Sequence, residues 1–136
     1  MTEPPDGLRD SVHEWLRYAQ EDLASAERSI KPPPLVASAL FHSQQAAEKA
    51  LKGYLVALGL PRVPRTHDLG LLAETIQALR GKAPAEEDVD FLGKFGMRVR
   101  YPDERKYQME EAFKALQVAN RIVDEVRNAV RVLLGE

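Results

Sequence analysis

The sequence predicts an all-α protein, an antiparallel up-and-down bundle of four main helices plus one short helix. Three observations lead there. Apolar residues recur at spacings of three and four along five segments, the period of a helix with one buried face. Breaks rich in proline and glycine divide those segments: Pro32-Pro33-Pro34, the stretch from Gly59 to Pro64, that from Gly81 to Pro84, and that from Gly96 to Pro102. The one alternating run, Arg98-Val99-Arg100-Tyr101, has no second strand to pair with. An unpaired strand leaves its backbone groups open, so this run is read as loop.

Residues Met1 to Gly7 read as a loose, flexible lead-in, with order beginning near Leu8 or Ser11. Ser11 is placed to cap the first helix, with Glu14 completing a capping box. Trp15, Leu16, Ala19, Leu23, Ala26 and Ile30 form its apolar side. Trp15 is read as a core anchor, with recognition as the alternative. Lys31 suits the helix C-terminus, and the triple proline makes a stiff corner rather than a ligand for an aromatic groove.

The second helix, Val36 to Leu58, organises the chain. Ala37, Leu40, Phe41, Ala47, Leu51, Tyr54, Leu55 and Leu58 fall on one broad stripe. Gln44 lies inside it, and a core-facing amide costs stability unless it is hydrogen-bonded, so the other helices are expected to surround this one and supply partners. Glu48 and Lys52 run along the stripe's edge, four residues apart, where they can meet on the helix surface. Gly59 followed by Pro61 is a helix stop.

Thr66 or Asp68 caps the third helix, which buries Leu69, Leu72, Ile76 and Leu79 and ends at Gly81. The short fourth helix starts with Pro84 as its first residue, carries Glu86, Glu87 and Asp88 at its positive end, turns Phe91, Leu92 and Phe95 inward, and closes at Gly96. The last helix runs from Asp103 to about Leu134, with Met109, Ala112, Phe113, Leu116, Ala119, Val123, Val126, Val130, Leu133 and Leu134 on one side.

A length of 136 residues fits one domain, residues 1–136, with one real core. The composition, 44% hydrophobic and 29% charged, is that of an ordinary globular protein rather than a disordered tail. Nineteen basic against twenty-one acidic residues give a net charge of -2, which supplies no general pull toward nucleic acid or anionic membrane but leaves room for a local basic patch. The absence of cysteine removes disulfides, thiolate nucleophiles and cysteine-based metal sites. With no signal-peptide pattern and no apolar window of spanning length, a soluble, cytoplasmic protein is expected.

Chemistry-bearing residues are few. The three histidines, His13, His42 and His67, show no metal-site spacing, and there is no glycine-rich phosphate loop or nucleophile elbow, so neither a metal nor a cofactor is expected. His42 is placed facing solvent or at a subunit contact. His67, followed by Asp68 and preceded by Arg62 and Arg65, either fixes a turn or joins the arginines in an anion site. Arg98, Arg100, Tyr101, Arg105 and Lys106 form the densest basic and aromatic cluster. It can grip phosphates and stack on a base, or pair with Asp103 and Glu104. Gln45, Glu48, Lys49 and Lys52 offer a second surface, for a ligand or for ordinary helical salt pairs.

The motifs DLASAERSI, FHSQQAAEKALKGYLVALG, THDLGLL and RYPDE, in that order across nearly the full chain, resemble the HEPN domain family. The resemblance implies a helical bundle, a homodimer whose cleft is formed by the middle of the second helix and the start of the last, and proposed nucleotide binding. It also implies pairing with a small nucleotidyltransferase protein, in pairs of toxin–antitoxin type. Ribonuclease members carry an arginine and, a short gap later, a histidine near the start of the last helix. Here that region reads RVRYPDERKYQ, without a histidine. Arg62 and His67 have a matching gap but precede the third helix. A tyrosine, with a reference pKa of about 10, is a poor substitute base near neutrality. The resemblance therefore implies a non-catalytic binding module, with Gln44, Glu48, Lys49, Lys52, His67, Arg98, Arg100 and Tyr101 as ligand-binding candidates and a nucleotide or RNA as ligand. The alternative is an unconventional ribonuclease toxin using an arginine-rich dimer cleft.

Overall fold

The computed structural model describes residues 7–96 and 106–136, which form five helices and, among the described residues, no strand. They are α1 (Leu8–Ser29), α2 (Val36–Ala57), α3 (Leu69–Ala78), α4 (Glu86–Gly93) and α5 (Met109–Leu134). The all-α, up-and-down expectation holds. α2 touches each of the other four helices and is buried on most of its circumference. Ala39, Ala46, Ala47, Ala50 and Gly53 are fully or almost fully covered, and small residues there let neighbouring backbones come close. A Cβ at Gly53 would stand 2.9 Å from Trp15 Cβ. Leu40, Leu51, Leu55, Leu72, Ile76, Leu92, Phe95 and Ile122 form the fully buried centre, each contributing about 1.5–3 kcal/mol of apolar burial.

Several boundaries differ from expectation. α1 starts at Leu8, because Gly7 adopts φ 84 and its carbonyl accepts from Ser11 N–H, so Ser11 lies inside the helix and caps nothing. α4 starts at Glu86 behind Ala85 rather than at Pro84, and ends at Gly93 rather than Gly96. α3 turns at Arg80, φ 65, one residue before Gly81. Gly81 is needed for space, since a Cβ there would lie 2.8 Å from both Ile76 Cγ2 and Leu58 Cδ1. α5 starts at Met109: Gln108 and Glu111 form a reciprocal capping box, which fixes the start later than Asp103. Asp103 itself lies outside the described residues. Asp68 caps α3 as expected, accepting from Leu71 N–H at 3.2 Å.

The buried stripes are narrower at their margins than the apolar spacing suggests. Ala37, Leu79, Phe113 and Leu133 are exposed, and Trp15 and Phe41 are only half-buried, because no helix covers those edges. Two devices fix the helix order. Leu35 N–H donates to Ser29 O across the proline corner. Asp88 of α4 accepts a two-pronged bond from Arg121 of α5 at 2.9 and 3.0 Å, which pushes the guanidinium pKa further up. Among the described residues no helix is long and apolar enough to cross a membrane.

Candidate functional site

The enclosed face of α2 carries charge. Gln44, Glu48 and Lys52 follow each other at four-residue spacing, and all three are buried. A helix brings such residues into one row. The sequence placed Glu48 and Lys52 on the surface edge; the structure buries them, because Trp15 of α1 and the loop before α3 cover that edge. Lys52 Nζ lies 3.1 Å from Glu48 Oε2 and 5.9 Å from the centre of the Trp15 ring.

His67 closes the row from the other side. Its Nδ1 is 2.9 Å from Glu48 Oε1, and because a carboxylate only accepts, Nδ1 carries the hydrogen. Its backbone carbonyl accepts from Gln44 Nε2 at 3.2 Å, and Gln44 Oε1 accepts from Gln45 Nε2 at 2.8 Å. Gln44 thus finds the partners its burial required, but from the loop before α3 and from its neighbour on α2 rather than from the other helices. His67 pairs with Glu48, which ties the loop before α3 to α2, while Arg62 and Arg65 stay exposed without ion pairs among the described residues.

A second cluster lies beside the first. Asp22 of α1 is buried, with Oδ1 at 2.8 Å from His42 Nδ1 and Oδ2 bonded to Lys49 Nζ. His42 bonds Asp22 of α1 while its side chain stays 30% exposed, with its ring edge-on to Phe41 at 5.2 Å. Lys49 also sits 5.9 Å from the exposed Tyr18 ring, and Trp15 and Tyr18 share a shallow cavity on α1 with Ser11 and Glu14. The open edge of the site thus offers Gln45, Lys49, Tyr18 and one side of Trp15.

Of the sequence-derived candidates, Gln44, Glu48, Lys49, Lys52 and His67 come together. Arg98, Arg100 and Tyr101 lie outside the described residues. The chain before them does reach the site, since a Cβ at Gly96 would lie 3.7 Å from Gln44 Nε2. Asp22 and Tyr18 were missed. Asp22 had a signal: it sits next to Leu23 and three residues after Ala19, on the buried side of α1. Tyr18 had none.

The HEPN domain profile matches residues 12–129. The chain belongs to the HEPN family. The crystal structure of TT1696 from Thermus thermophilus is 33% identical, with a TM-score of 0.72, over 87% of this HEPN chain and 97% of that one. The crystal structure of ST0689, an archaeal HEPN homologue, is 28% identical, with a TM-score of 0.67, over 96% of this chain and 99% of that one. A comparison with curated proteins returns no significant match. The family profile covers the whole α2 row and His67, so these residues stand within the matched HEPN domain.

Proposed function

We propose that this HEPN domain is a non-catalytic, homodimeric binding module that takes a nucleotide or docks a small nucleotidyltransferase protein, within a toxin–antitoxin pair. The observation that carries this reading is the buried, internally paired row Gln44–Glu48–Lys52 with His67. Burying a salt bridge often gains no stability over apolar residues of the same volume, so this row is read as part of a site rather than as a device of the core. Lys49 is suited to a phosphate and Tyr18 and Trp15 to a planar base, while Gln45 presents an amide. Arg100 adds a further cation in the sequence-derived set. The region of the ribonuclease motif has no histidine after Arg98 or Arg100, which supports binding over cleavage.

The second reading, an unconventional ribonuclease toxin, draws on the Glu48–His67 pair, because a carboxylate orienting an imidazole is the arrangement of an oriented general base. Two measurements separate them. Native mass spectrometry of the protein, coexpressed with its genomic neighbour, should show a homodimer that retains a nucleotide or the neighbour. A ligand-free monomer overturns the binding module. Purified protein should leave RNA intact, whereas digestion that disappears in Arg100→Ala or His67→Ala favours the toxin.

A further inference from the structure

Away from the α2 row, the seam between α1 and α5 opens into a cavity of about 330 Å3 whose lining is strongly basic. Arg17 comes from α1, and Arg127 and Arg131 come from α5, one helical turn apart. None of the three makes an ion pair among the described residues: Arg127 Nη1 rests on Gln20 Oε1 at 3.3 Å, and Arg17 lies 5.1 Å from the Tyr18 ring centre. The one acidic side chain in the lining belongs to Glu136. Its backbone N–H donates to Arg131 O at the end of α5, and its Oε2 holds Arg9 Nη1 at 2.9 Å and His13 Nε2 at 3.0 Å. Three arginines without ion pairs among the described residues therefore share this lining with one glutamate side chain that is itself bonded to Arg9 and His13, in a protein whose net charge is -2. The Glu136 carboxyl is held below the usual glutamate range, chiefly by the hydrogen bond from His13 and further by Arg9.

We infer that this cavity is a binding site for a small molecule carrying a diphosphate group, gripped by Arg17, Arg127 and Arg131, with Glu136, held by Arg9 and His13, as the negative charge in the same lining. Guanidinium forks match phosphate oxygens two at a time, and two forks one turn apart with a third across the seam suit adjacent phosphates better than a single one. The negative end of the α5 dipole opposes an anion, and Arg131 in the last turn offsets it.

Calorimetric titration of the full chain with inorganic pyrophosphate tests this site. Saturable binding is expected at constant ionic strength, weakened about tenfold or more in R127Q/R131Q through loss of charge-assisted contacts. It should tighten in E136Q, where that negative charge is gone, and persist in Lys49→Ala, which touches only the α2 site. Equal affinity for adenosine diphosphate assigns recognition to the diphosphate alone, and tighter binding assigns it to a nucleotide; either supports the site. No saturable binding by the wild-type protein overturns it. So does undiminished binding in R127Q/R131Q whose melting curve matches wild type, or loss of binding in Lys49→Ala alone.

Discussion

The face of α2 and the α1–α5 seam hold the same kinds of residue in opposite conditions. On α2 the Glu48 and Lys52 side chains are 5% and 9% exposed, and each has a partner. At the seam Arg9, His13 and Glu136 are 43%, 51% and 37% exposed, and Arg131 has no ion-pair partner among the described residues. Asp22 stands between these limits, itself 10% exposed but bonded to Lys49 and His42 at 29% and 30%. Water decides what each charge is worth. Where it is excluded a lost partner leaves an uncompensated ion, and where it has access the same loss is screened.

The steepest test of that gradient is Glu48→Ala, which strands the buried Lys52 ammonium and frees His67. We expect a loss of about 3–5 kcal/mol by chemical denaturation. Replacing Glu48 and Lys52 together by methionine should cost far less, since no charge is left unpaired; an equal loss would mean that shape rather than charge holds this face. Asp22→Ala should cost about 1–3 kcal/mol, because its two partners can still reach water. R127Q/R131Q should leave the denaturation midpoint unchanged, and a clear drop would show that these arginines brace the seam rather than stand ready for a ligand.

The smallest effect belongs to pH. Because the folded Glu136 carboxyl lies below its unfolded value, its stabilising contribution is full above the unfolded value and is lost as pH falls through the folded one. The melting difference between wild type and E136Q should therefore vanish as pH falls below the folded value. A difference that persists in acid would assign the effect to packing instead.

Much of the fold was legible because helix period and breakers are local properties. Pro32 to Pro34, Gly59, Asp68 and the three- and four-residue steps from Leu69 to Leu72 to Ile76 mark ends and faces without knowledge of neighbours. Local signals failed where two of them competed. Ser11 and Glu14 look like a cap, but Gly7 begins α1 sooner. Asp103 looks like a start, but Gln108 and Glu111 close a better box. The family match also followed from motif order: QQAAEKALK and THDL carry Gln44, Glu48 and His67, which this fold brings together.

By itself the sequence determined five helices, their order, the central place of α2 and the need of Gln44 for partners. Only the tertiary structure decided that Glu48 and Lys52 are buried, that His42 turns to Asp22, and that Arg17 lines one cavity with Arg127 and Arg131. A repeat of three and four residues fixes which side chains share a face. What covers that face, and so whether a charge keeps its water, depends on segments distant in the chain.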